Sequence, residues 1–257
     1  MKNFEQTVLI ARAVFIELAR KRALYVVALL AALFVAGAII ARVVGIENPA
    51  TGTFLLNLGL SLAYWCAHIL TLILAAGQLP NEIENRTLYP LLAKPVSRGT
   101  VLFGKWLACS LAGTGVFLAL GLIAWIAAPK METFSAAMFA QTLLAIPLSV
   151  ALVAALAILF SLIWTKGVSL VLLAILLAAG DKIFALATRA KLGLLGDWIA
   201  AFGKLLPDFS KLNLITRYTD GIGPISFFQE SGLLLYAATF IAAYLLIADR
   251  IFSRRSL

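Results

Sequence analysis

The sequence predicts an all-α, polytopic integral membrane protein, and three observations carry that expectation. Apolar residues fill 63% of the 257 positions and Asp, Glu, Lys and Arg only 13%, against roughly 45–50% and about 25% in soluble globular chains. The apolar residues fall into six long blocks, each near the ~20 residues that a membrane-crossing helix needs. The charged residues gather between the blocks. Six spans leave little chain for a soluble domain, so residues 1–257 are expected to form a single membrane domain.

Residues 3–22 set Phe4, Val8, Ala11, Phe15 and Leu18 at helical spacing, with Glu5, Arg12, Glu17, Arg20 and Lys21 largely elsewhere around the wheel. This predicts an amphipathic helix lying in the interface. It does not read as a cleavable signal, because charge is spread along it and no short apolar core precedes a small-residue cleavage site. The Arg20–Arg22 cluster marks the membrane edge. Spans 1 and 2 are expected at about Ala23–Ala41 and Phe54–Gly77, separated by Arg42, Glu47, Asn48 and Pro49. Span 3 is expected at about Trp106–Ala128, ending before Pro129, Lys130 and Glu132. Span 4, at about Ala137–Trp164, contains Pro147, which can kink the helix or hinge it. A tight Thr165-Lys166-Gly167 break leads to span 5 at about Val168–Ala187, and span 6 lies at about Gly232–Ala248.

An even number of spans puts both termini on one side, and the Lys/Arg distribution selects the cytoplasm. The termini, the stretch Gln78–Lys105 and Lys166 carry 13 Lys/Arg, against Arg42 and Lys130 in the two short opposite loops. The long connection at about 188–231 carries Arg189, Lys191, Lys204, Lys211 and Arg217, but long loops determine topology weakly and Asp197, Asp208, Asp220 and Glu230 offset that charge. Within it Leu192–Leu206 is too short and too glycine-interrupted to span, which predicts a re-entrant or interfacial helix. The net charge of +9 is set mainly beside apolar blocks, where it orients the chain and meets anionic lipid, so nucleic acid is not an expected partner. Cys66 and Cys109 should lie at different depths, too far apart for a disulfide.

The long polar interruption Gln78–Lys105 mixes Glu82, Glu84, Arg86, Lys94, Arg98 and Lys105 with Leu88, Tyr89, Leu91 and Leu92. A short helix over Leu88–Ala93 is expected, with Thr87 as N-cap and Pro90 in the first turn, where its missing N–H costs little. Pro95 ends that helix, and Ser97 can cap the next, which runs through Arg98, Lys105 and Trp106 into the membrane. On composition alone the leucines could equally lie on lipid headgroups. The pattern Glu82-Ile83-Glu84, Thr87-Leu88, Leu91-Leu92, Lys94-Pro95-Val96-Ser97-Arg98 and Gly104-Lys105-Trp106 resembles the first cytoplasmic loop of permease subunits of the second exporter class of ABC transporters. That family often has glycine before the threonine, where this chain has Arg86. Leu-Pro-Asp-Phe-x-x-Leu-Asn-Leu at Leu206–Leu214 is similar to the corresponding outer segment.

The resemblance implies a transmembrane exporter subunit in the cytoplasmic (inner) membrane, paired with a second permease copy or homologue and two cytoplasmic ATPase subunits. The docking residues it implies are Glu82, Glu84, Arg86, Thr87, Leu88, Leu91, Leu92 and Lys94. No G-x-x-x-x-G-K-[ST] pattern is present, so ATP and magnesium would bind the partner and no cofactor is expected in this chain. A single histidine, His68, and the absence of H-E-x-x-H or G-x-S-x-G leave metal-site or triad catalysis without support. An ATPase-independent secondary transporter or channel is the alternative, although no internal repeat or ion-carrying carboxylates favour it. A non-transporting membrane-assembly scaffold is a third reading.

Asn57, Ser61, Tyr64, His68 and Thr71 recur at helical spacing on one face of span 2. Such a face can line a translocation path, or it can pack against neighbouring helices through hydrogen bonds. Asp181 and Lys182, near the outer end of span 5, could touch substrate or proton, or anchor the helix end.

Overall fold

Alternation of apolar blocks with short polar breaks produces helices and nothing else. The computed structural model describes residues 2–19, 23–43, 49–84, 97–127, 136–189, 203, 205–215, 217 and 222–254, among which there is no strand. The helices are α1 (Lys2–Ala19), α2 (Ala23–Val43), α3 (Pro49–Glu84), α4 (Arg98–Ala127), α5 (Ala136–Ile163), α6 (Lys166–Arg189) and α7 (Phe227–Arg254), with a 3-10 turn at Phe209–Leu212. Each of the six apolar blocks lies in one helix, from α2 to α7. Four segments are long and apolar enough to cross a membrane: Gly52–Glu84, Arg98–Ala127, Ala136–Ile163 and Phe227–Arg254. The apolar stretches Tyr25–Ile40 and Lys166–Gly180 are shorter. The chain is a multi-pass, all-helical membrane protein.

Helix α5 is apolar on every side and occupies the centre, which is where a helix without a polar face belongs. It packs on α3, α4 and α7, and the longest contact in the bundle runs between α3 and α4. Small residues make that contact close: a Cβ at Gly113 of α4 would meet Thr71 Oγ1 and lie 3.2 Å from the Ala67 carbonyl of α3. Cys66 and Cys109 are both buried, and neither is in a disulfide.

The polar interruption is shorter than its sequence suggests. Helix α3 runs 36 residues, about 54 Å at ~1.5 Å per residue, well beyond a ~30 Å hydrocarbon core. It passes the expected end at Gly77 and continues through Pro80 to Glu84. Gln78 and Leu79 are buried there, so packing holds a turn in which Pro80 forgoes its own backbone donor. With α4 starting at Arg98, only residues 85–97 separate it from α3. The expected helix Leu88–Ala93 and the body of the expected re-entrant segment Leu192–Leu206 lie outside the described residues.

Helix α1 also departs from the expected face. It packs along α4, burying Thr7, Ala11 and Val14, while Val8 and Phe15 stay exposed with Leu9 and Ile16. A helix in an interface can bury one stripe in protein and another in lipid, so the apolar pattern alone did not say which stripe meets the bundle.

Candidate functional site

One end of the bundle gathers both flanks of the 85–97 segment, α1 and the last turn of α7. Ser97 caps α4 as its sequence position suggests: the Thr100 N–H donates to Ser97 Oγ at 3.1 Å. The next residue, Arg98, donates from Nη1 to the carbonyls of Phe252 at 2.8 Å and Ser253 at 3.2 Å. These belong to the last turn of α7, where carbonyls lack intrahelical donors and a cation is favoured. The Arg98 guanidinium also stands 5.7 Å from the Phe252 ring centroid.

Two turns further into α4, Gly104, Lys105 and Trp106 point about 100° apart, as successive helical residues must. They reach three different helices. A Cβ at Gly104 would lie 2.9 Å from Ile10 Cγ2 and 3.2 Å from the Thr7 carbonyl, so only glycine lets α1 come this close. Lys105, 1% exposed, forms an ion pair of 2.5 Å with Glu82 of α3. Trp106 Nε1 donates to the Ala151 carbonyl of α5 at 2.9 Å. Beside them, Lys166 at the start of α6 donates from Nζ to Asn81 Oδ1 at 3.4 Å.

Of the expected docking residues, Glu82 is spent partly inside the chain on Lys105 and keeps 24% of its side chain exposed. Glu84 is exposed. Arg86, Thr87, Leu88, Leu91, Leu92 and Lys94 lie outside the described residues. Sequence reasoning grouped Lys105 with the other charges of the polar stretch and missed its burial; its signal was a lone lysine between Phe103-Gly104 and Trp106-Leu107, an apolar setting that demands a counter-charge.

The polar face of α3 lies halfway along the bundle. Asn57 and Ser61 are half-buried, and Tyr64, His68 and Thr71 are buried in this chain's own interior. His68 Nδ1 lies 2.8 Å from the Tyr64 carbonyl and Nε2 2.8 Å from Ser149 Oγ of α5. A carbonyl only accepts, so Nδ1 carries the proton and the Ser149 hydroxyl donates to Nε2. Tyr64 stacks on His68 with ring centroids 4.0 Å apart, and Thr71 donates to the Ala67 carbonyl at 2.7 Å. These are the contacts of the packing alternative.

At the far end, Gln141 of α5 clamps the approach to α7. Its Nε2 donates to the Ile225 carbonyl at 2.8 Å and its Oε1 accepts from the Ile225 N–H at 3.0 Å. Sequence reasoning passed over this glutamine, although a lone amide near the end of an apolar block was its signal. In the Leu206–Leu214 segment, Asp208 Oδ1 accepts from the Ser210 N–H at 3.1 Å, and Phe209, Leu212 and Leu214 are buried. The Asp208 N–H donates to Tyr236 Oη at 2.8 Å, and Tyr244 Oη donates to the Leu205 carbonyl at 2.8 Å. Lys182 is exposed, and the Asp181 side chain is outside the described set.

Among the described residues no three His, Cys, Asp or Glu side chains come together as a metal site would require. No curated protein matches the chain. The family described as "ABC-2 family transporter protein" matches residues 15–181, a stretch that takes in α2 to α5, the 85–97 segment and the Gly104-Lys105-Trp106 hub. That match covers well over half of the 257 residues, and the chain therefore belongs to the ABC-2 family of membrane transporter subunits.

Proposed function

We propose that this chain is the membrane-spanning subunit of an ATP-driven exporter, coupled through its 85–97 segment to a separate ATPase that binds the nucleotide and magnesium. The observation that carries this reading is the convergence at one end of the bundle. There Arg98 ties the start of α4 to the end of α7, Lys105 ties it to the end of α3, and Gly104 seats α1. A segment anchored in this way at its root can pass a push from outside into several helices at once. In the proposed arrangement all six apolar helices cross the inner membrane, both termini and the 85–97 segment face the cytoplasm, and two ATPase subunits serve this chain and a second permease copy or homologue. The hydrogen bond from Tyr244 to Leu205 supports a re-entrant path for the preceding segment. Tyr244 lies about 25 Å along α7 from Phe227, at ~1.5 Å per residue, so the chain returns deep into the bundle thickness. The path would run at the permease–permease interface. Asn57 and Ser61, half-buried, are better placed to border it than Tyr64 and His68.

Docking is assigned to Glu84, Arg86, Thr87, Leu88, Leu91, Leu92 and Lys94, while Glu82, held by Lys105 inside the chain, is not needed for it. Leucines filling an apolar groove are anchors whose truncation costs at least ~2 kcal/mol, roughly a thirtyfold loss in affinity. Leu91→Ala or Leu92→Ala should therefore lose the ATPase subunit during purification from native membranes, with the loss of ATP hydrolysis in the purified fraction as the readout. Arg42→Ala, in the last turn of α2 at the opposite end, should lose neither. Leucine variants that keep a full complement of ATPase subunits would overturn the docking assignment and leave the segment lying on lipid.

A further inference from the structure

The Glu82–Lys105 pair stands out because its chemistry is a poor way to gain stability. Lys105 is among the largest fully buried side chains of the described residues, and lysine is almost never fully buried. Withdrawing two charges from water costs about as much as their attraction returns, so an apolar pair of equal volume would hold the helices as well or better. What an ion pair adds is intolerance of displacement: aliphatic side chains slide past one another at little cost, whereas a buried cation pulled from its carboxylate has nowhere to go. The pair also sits where such intolerance matters. Glu82 is in the last turn of α3 and Lys105 two turns into α4, so they bridge the two roots of the 85–97 segment. Gly104 and Trp106 flank the lysine and hold α1 and α5.

We propose that Glu82 and Lys105 are positioning residues: their ion pair joins the end of α3 and the start of α4 into one body, so that a push on the intervening segment moves both together and, through Gly104 and Trp106, α1 and α5 with them. This rests on the docking reading above, and it gives Lys105 no contact with the partner.

The test separates a joint from a mere stabiliser by removing both charges at once. In a Cys66→Ala/Cys109→Ala background, nitroxide labels go on cysteines replacing Ile73 of α3 and Phe103 of α4, both exposed and neither assigned to docking, and their distance distribution is read by electron paramagnetic resonance in the permease alone. The neutral double variant Glu82→Gln/Lys105→Met leaves no orphaned charge and should unfold at the wild-type temperature. Its distance distribution should nonetheless lose the narrow wild-type peak, and the exchanged pair Glu82→Lys/Lys105→Glu should restore it. In the complex with the ATPase, vanadate trapping should leave the wild-type distance unchanged and shift it in the neutral variant, while ATPase retention is equal in both. A neutral variant that keeps the narrow peak overturns the proposal, because packing alone then fixes the two roots. One that sheds the ATPase also overturns it, by making the pair a docking contact. Should the exchanged pair fail to fold, the neutral variant decides alone. A wild-type chain that holds no ATPase overturns the functional reading itself, and is told apart from failure of the joint because the label distances need no partner.

Discussion

Polar side chains behave differently at the loop end of the bundle and in its middle. At the loop end they reach between helices: Lys105 to Glu82, Arg98 to the last turn of α7, Lys166 to Asn81 and Trp106 to α5. In the middle most turn back on their own helix. Thr71 donates to the Ala67 carbonyl and Ser110 to the Trp106 carbonyl, and nearer the two ends of α5 Thr142 donates to Met138 and Ser161 to Ile158 in the same way. His68 with Ser149 is a tie between helices there. The difference follows from reach and from solvent. A short hydroxyl in an apolar interior has the carbonyl three or four residues back as its ready acceptor, which satisfies it without fixing a neighbour. Long cationic side chains near a helix end can span to another element and keep some access to water. Helical spacing of polar residues inside a span is thus a weak guide to a transport path, whereas a lone lysine flanked by apolar residues is a strong guide to an intramolecular partner.

The largest effect should come from breaking the pair asymmetrically. Glu82→Leu leaves the buried Lys105 without its counter-charge and should cost about 3 kcal/mol. Lys105→Met should cost nearer ~1 kcal/mol, because the carboxylate left behind is partly exposed and can be hydrated. Thermal unfolding of the two purified variants in detergent compares them directly; equal losses would mean that Lys105 also reaches water.

Next in size is the central tie. His68→Ala should cost about 2 kcal/mol, most of it from the cavity, since an interhelical hydrogen bond in a membrane bundle is worth only about 0.6. Thr71→Val, which removes a bond within one helix, should stay within about 0.5 kcal/mol. If ATP hydrolysis in the assembled complex falls in step with the stability of His68→Ala, the residue belongs to packing. A change in hydrolysis without a change in stability would support the path reading for that face.

An effect smaller than that of His68→Ala tests the local cap. Ser97→Ala removes the acceptor of the Thr100 N–H and should lower stability by about 1 kcal/mol. A stability equal to wild type would show that the Arg98 contacts with α7 fix the start of α4 unaided.

By itself the sequence determined the helical class, the six apolar blocks, a break at Thr165 and the cap at Ser97, because each rests on local chemistry: hydropathy over ~20 residues, or one side chain near its own backbone. The Gly104-Lys105-Trp106 run was legible as a family motif, but not as a hub, since nothing local says that three neighbours will meet α1, α3 and α5. The extension of α3 past Gly77 was hidden for the same reason: Gln78 and Pro80 argue for a loop, and only burial of Gln78 and Leu79 keeps that turn helical. Likewise, which stripe of α1 faces protein, that His68 meets Ser149, and that Glu82 pairs with Lys105 were decided by tertiary structure. Each depends on what stands across the gap, and a periodic pattern records only which side of a helix a residue is on.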